Sequence, residues 1–222
     1  MGNETSLPLP LTASASSRTY QAVVAGSTGA SGRAVVGELL KDPKCVRVVA
    51  LTRTVPSEKV DTSEKLIFSD FAEFPKSGDF IANVPTVAVV AMGTAPWTEE
   101  ADVTAPTAFG RKAADFGVVK CALVSAVGAS TGSMFGYVDA MGRREQAFQE
   151  IKFLEGLVIF RPKFLLRQEK MRTKEKFFEK ISPDSQCIDT RDMAKVIVAS
   201  LSADVGGVFV VEHREMKKYL GQ

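Results

Sequence analysis

Two rhythms of apolar residues take turns along this chain. Runs rich in apolar residues at 22–25, 46–51, 86–91, 121–124, 157–160 and 208–211, with a shorter one at 65–68, read as strands; Arg47 alone breaks the second. The run at 86–91 lacks the polar alternation of a half-exposed strand, so both faces of its sheet are expected to be covered. Between the runs, Val35, Val36, Leu39 and Leu40, residues 104–116, the segment carrying Tyr137, and residues 188–201 show helical spacing. Asp189, Thr190 and Asp192 give the last of these the acids and cap of a helix start. Strands that alternate with helices imply a parallel sheet with right-handed crossovers. The expected fold class is therefore α/β, a Rossmann-type doubly wound parallel sheet in three α/β/α layers. Residues 19–222 are expected to form that single domain, with a small C-terminal lid on the substrate side.

Composition removes several alternatives. The chain has 222 residues, enough for one α/β domain with a substantial core. With 28 basic and 26 acidic residues the net charge is +2, and no overall field favours nucleic acid. Cys45, Cys121 and Cys187 are widely spaced and contain no CxxC, which argues for a reducing compartment and against a metal site. His213 is the single histidine and is expected at the surface, not as a base. No apolar run approaches the roughly 20 residues of a membrane helix.

Residues 1–18 hold only Glu4 and Arg18 as charges among many Ser, Thr and Ala, and are expected to form a flexible tail. Its opening, MGNETS, fits the N-myristoylation pattern with Gly2 as acceptor and Ser6 at the favoured place; an ordinary start followed by glycine fits as well. One acyl chain gives marginal membrane affinity, so weak contact through Gly2 is the most that is expected of a cytoplasmic protein.

The candidate chemistry begins with AGSTGASG at 25–32. Gly26 suits the positive φ of a tight turn, Gly29 lets a phosphate approach bare backbone, and Gly32 lets the next helix pack closely on the sheet. The helix start then offers N–H groups and partial positive charge to a pyrophosphate. After the second strand, Thr52-Arg53 stands where an NAD-preferring site usually has an acid, and the forked cation of Arg53 suits a ribose 2′-phosphate, so the expected cofactor is NADP(H). Asp70 could accept from an adenine amino group and Phe71 pack near the ring, or both are plain loop and core residues; composition does not choose. Met92-Gly93-Thr94 follows the fourth strand, with Gly93 permitting close approach of a ribose. Ser125 and Tyr137 fit the places of a serine that holds a carbonyl oxygen and a tyrosine that protonates it. Met141, one turn beyond Tyr137, cannot supply a charge. Arg144, two turns along the same helix face, has a long side chain that leans back toward the hydroxyl or the ribose and could stand in. With Arg143 and Glu145 beside it, the expected reading is a solvated arginine on an exposed charged face. The segment 161–180 is basic, with eight cations against Glu169, Glu175 and Glu179, and reads as a solvated helix face.

GSTGASG at 26–32, Arg53, SDF at 69–71, MGT at 92–94, LVSAVGA at 123–129, FGY at 135–137 and FRPKFLL at 160–166 together resemble an atypical short-chain dehydrogenase/reductase of the Tat-interactive-protein oxidoreductase group. The resemblance covers the chain from about residue 20 onward. It implies cofactor contacts at Gly26, Thr28, Gly29, Ala30, Ser31, Gly32, Arg53, Asp70, Phe71, Met92, Gly93 and Thr94, catalytic roles for Ser125 and Tyr137, and a lid over the nicotinamide end from Phe164, Leu165, Phe177 and Phe178. The group's lysine, four residues after the tyrosine, is Met141 here, and the residue after Ser125 is Ala126. Two functions follow: an NADP(H)-dependent oxidoreductase acting on a small-molecule carbonyl substrate, or an inactive NADP(H)-dependent sensor or scaffold for a regulatory protein partner. Either is expected to be a monomer or homodimer.

Overall fold

The computed structural model describes residues 9–14, 16–55, 64–166, 186–204 and 206–222. Gly2, Phe177, Phe178 and most of the basic segment lie outside these. Seven strands form one sheet: β1 (Tyr20–Ala25), β2 (Cys45–Thr52), β3 (Leu66–Asp70), β4 (Thr86–Val90), β5 (Lys120–Val124), β6 (Gly156–Arg161) and, last in the chain, β9 (Gly207–Glu212). Their order is β3-β2-β1-β4-β5-β6-β9, and every pairing is parallel. This is the expected doubly wound Rossmann-like arrangement, with the strand order reversing between β1 and β4. A crevice opens beyond the carboxyl ends of the strands at such a reversal.

The apolar runs are buried because side chains of alternate parity serve two different helix layers. Ala22, Val24, Val87, Val89 and Phe160 pack with Val35 and Leu39 of α2 (Ala30–Lys41) and with Met193, Ile197 and Leu201 further along the chain. On the opposite face Val23, Ala25, Ala88, Val90 and Ile159 pack with Phe109 of α3 (Ala105–Asp115) and Phe148 of α4 (Gly136–Glu150). A π-helical turn, Glu100–Thr104, leads into α3. Two short strands, β7 (Phe164–Leu166) and β8 (Cys187–Asp189), pair in parallel apart from the main sheet. Helix α5 (Thr190–Ser202) follows at once, its N-cap Asp189 accepting from the Arg191 N–H. Thus Ile188 is a strand residue and the helix begins at the cap.

Two expectations change. The segment before residue 19 is not uniformly a tail: Leu9–Thr12 form a helical turn, α1, Leu11 is buried, and Ser16 donates its N–H to Ser202 O at 2.6 Å. Arg18 also pairs with Glu155 at 2.8 Å. Leu11 is buried because α5 offers it a ready apolar face through Met193, Ile197 and Leu201. His213 is 3% exposed, not a surface residue, because it opens α6 (His213–Tyr219), where its Nδ1 accepts from the Lys163 N–H. Among the described residues no helix is long and apolar enough to cross a membrane.

Gly26 and Gly32 lock α2 onto the sheet. Gly26 has φ +83°, and a Cβ on it would sit 2.6 Å from Ala91 O; a Cβ on Gly32 would sit 2.1 Å from Gly26 O. Gly32→Ala should therefore lower stability toward the upper end of the roughly 1–3 kcal/mol typical of overpacking, or beyond it. Denaturant unfolding checks this, and a loss below about 0.5 kcal/mol, the scale of an ordinary surface substitution, would mean that the contact is not rigid.

Candidate functional site

The carboxyl edge around the β1/β4 reversal holds a cleft of about 500 Å³. Its floor at one end is the glycine loop. Gly29 is the N-cap of α2 and gives no side-chain cap, and the first helical N–H to find a backbone acceptor is that of Arg33, bonded to Gly29 O at 2.9 Å. The N–H groups of the preceding turn have no acceptor within the helix. Thr28, Gly29, Ala30, Ser31, Met92, Gly93, Thr94, Ser125 and Tyr137, all singled out from sequence, line this one cleft. Gly26 and Gly32 lie beneath it as its bed.

Arg53, Asp70 and Phe71 stand elsewhere. Arg53 is exposed just past β2. Asp70 is beside it across the β2–β3 register and accepts from the Ala72 N–H at 2.8 Å, and Phe71 stacks on Phe109 with ring centroids 6.1 Å apart.

Two charged residues not singled out from sequence, Arg33 and Asp102, and one expected in solvent, Arg144, complete the cleft or its wall. Arg33 lines it one turn into α2. Asp102 lines it from the π-helical turn, 2% exposed, accepting from the Thr94 hydroxyl at 2.9 Å and the Thr98 N–H at 3.0 Å. Arg144 is not solvated: it is 2% exposed, and its guanidinium donates to Met92 O at 3.1 Å, Val124 O at 2.6 Å and Met141 Sδ at 2.9 Å. Burial pulls its pKa down, while the nearby Tyr137, Asp102 and Glu145 oppose that shift. The signal lay in the helical spacing, since 137, 141, 144 and 148 follow one another by three or four along α4 and therefore share a stripe.

Glu145 is also buried, not part of an exposed face, and it accepts from the Ser125 hydroxyl at 2.5 Å and from Arg161 at 2.5 and 3.0 Å. An ionised carboxylate is only an acceptor, so the Ser125 proton is turned away from the cleft and toward Glu145. What Ser125 offers the cleft is oxygen lone pairs. Arg161 continues to Glu212 at 3.1 Å and ties β6 to the last strand. Trp97 lies against Gly136, the neighbour of Tyr137, where a Cβ would be 2.8 Å from the indole, and Leu165 of β7 lines the cleft while Phe164 is half-exposed.

No protein-family model and no curated protein matches the chain. Solved structures do. MoeE5 in complex with UDP-glucose and NAD is 13% identical over 87% of this chain and 75% of that one, with a TM-score of 0.62. WbmH of Bordetella bronchiseptica, in complex with NAD+, is 12% identical over 86% and 75%, with a TM-score of 0.62. The human epimerase family protein SDR39U1 (isoform 2), with NADPH, is 16% identical over 86% and 74%, with a TM-score of 0.59. What they share with this chain is the fold.

The two sets of ion pairs on α4 should behave differently. Glu145→Ala removes the buried acceptor of Ser125 and Arg161, the latter keeping Glu212, and should cost about 1.5–3 kcal/mol, the scale of hydrogen bonds to a charged group. On the outer face Arg143 bridges Glu99 and Asp139, all substantially exposed, and Arg143→Ala should cost far less. Parallel urea titrations compare them; equal losses would contradict the assigned burial.

Proposed function

We propose that this protein is an NADP(H)-dependent oxidoreductase of the atypical short-chain dehydrogenase/reductase kind, resembling the Tat-interactive-protein group, that reduces a small-molecule carbonyl compound. The observation that carries the reading is Gly29. A Cβ there would meet one protein atom, Gly26 O at 3.3 Å, whereas Gly26 and Gly32 are each required by clashes with backbone. Gly29 is thus bare toward the cleft and not toward the protein, which suits a phosphate seated on backbone N–H groups.

Ala30, Ser31 and Gly32 would hold the pyrophosphate with their N–H groups, Arg33 would add charge beside it, and Arg53 with Asp70 would flank the adenosine at the β2 edge. NAD or NADPH in the three structures of like fold supports a nicotinamide dinucleotide in this crevice, and Arg53 favours the 2′-phosphate form. When bound, the cofactor supplies the hydride. Tyr137 faces the same cleft and supplies the proton that the reduced oxygen takes up. Ser125, its hydroxyl donating to Glu145, fixes orientation by accepting from a donor on the substrate. Leu165 adds an apolar side chain to the wall of the cleft.

Nucleotide titration followed by melting temperature tests this directly. NADPH should bind more tightly than NADH, and Gly29→Ala should weaken NADPH roughly tenfold or more while leaving the free protein's melting temperature nearly unchanged. Arg53→Glu should abolish the preference for NADPH, whereas Arg33→Ala should weaken both nucleotides alike. NADPH oxidation across a panel of aldehydes and ketones should be lost in Tyr137→Phe. Binding without turnover on any carbonyl would favour a sensor or scaffold, and no response to either nucleotide at millimolar levels would refute the proposal.

A further inference from the structure

Arg144 is a buried cation whose charge no described carboxylate neutralises by direct contact, because its hydrogen bonds end on two backbone carbonyls and a thioether. Burying a guanidinium in this way is costly, and a neutral side chain of similar length would fill the space more cheaply. Its Nε has no partner. The two carboxylates within electrostatic reach are engaged elsewhere: Asp102 by Thr94 and Thr98, Glu145 by Ser125 and Arg161. The uncompensated charge faces the cleft that Tyr137 also lines, and the side chain runs back one turn to touch the Met141 sulfur.

We infer that Arg144 is the positioning residue of the site: its fixed charge, reaching back from two turns along α4 to the level of Met141, stabilises the ionised form of Tyr137. This rests on the reading of Tyr137 as proton donor. As Tyr137 gives up its proton, the phenolate forms beside a cation already desolvated and held by Met92 O and Val124 O, so little reorganisation is needed. The same two bonds fasten the ends of β4 and β5, which sets the charge at a constant place in the cleft. The other charged groups that line the cleft are Arg33 and Asp102, the latter accepting from the Thr94 hydroxyl, while Asp139, Arg143 and Glu99 pair among themselves on the outer face of α4.

Ultraviolet difference titration of the nucleotide-free protein reads this without turnover, so its failure is distinguishable from a failure to bind NADP(H). The chain has three tyrosines. Tyr20 is held protonated by burial and by donation to Asp42, and half-exposed Tyr219 serves as internal standard, isolated in the Tyr137→Phe spectrum. Tyr137 should ionise below Tyr219 in the intact protein. Arg144→Met should raise its transition by about one to three pH units, Arg144→Lys should keep most of the lowering, and adding Met141→Lys to Arg144→Met should restore it. A strut without electrostatic role would give a Tyr137 transition at or above that of Tyr219 in the parent protein. That result overturns the inference even if Arg144→Met fails to fold, and so does an unchanged transition in a folded Arg144→Met.

Discussion

The carbonyl of Gly26 has room above it only because residue 32 has no side chain. A Cβ at Gly32 would fall 2.1 Å from Gly26 O and one at Gly26 would fall 2.6 Å from Ala91 O, so the end of β1, the start of α2 and the end of β4 approach one another backbone to backbone. Everything at the cleft inherits its position from that three-way approach. The first turn of α2 is aimed along the carboxyl edge of the sheet, Met92 to Thr94 leave β4 at the opposite wall, and the distance between the walls is set by main chain and not by side-chain packing. Gly29, in the same loop, has no such duty toward the protein, and this contrast within one short motif separates what the fold needs from what a ligand needs.

The second constraint is electrostatic. Helix α4 carries Arg143, Arg144 and Glu145 in succession, and the fold sends the first outward and the other two inward. Glu145 is compensated by Arg161 and Ser125, so its burial is structural as well as chemical: it joins α4 to β6 and fixes the polarity of the serine. Arg144 is held only by neutral acceptors. That buried charge lines the same cleft as the phenol of Tyr137.

The sheet and the glycine loop were legible in the sequence because both depend on local chemistry: continuous apolar runs and glycines spaced to allow backbone approach. Seven strands, the α2 stripe of Val35 and Leu39, and the Asp189 cap were all readable from neighbours in sequence. Arg144, Glu145, Asp102 and His213 were not, since their burial depends on distant partners, Met92 and Val124 for the first, Arg161 for the second, Thr94 for the third. Charge is a poor guide to exposure when a strand end supplies carbonyls. The three-and-four spacing from Tyr137 to Phe148 was visible, but adjacent charges masked it. Leu11, likewise, is buried by a face of α5 that no local pattern around residues 9–12 announces.

Amide hydrogen exchange with and without NADPH examines the cleft residue by residue. Slowed exchange confined to the loop and first turn at 26–33 and to 91–94, with the edge near Arg53 responding to NADPH more than to NADH, is the outcome expected of a dinucleotide laid across the β1/β4 reversal. Unchanged exchange at 26–33 under saturating NADPH, or protection that maps away from the carboxyl edge of the sheet, would contradict it.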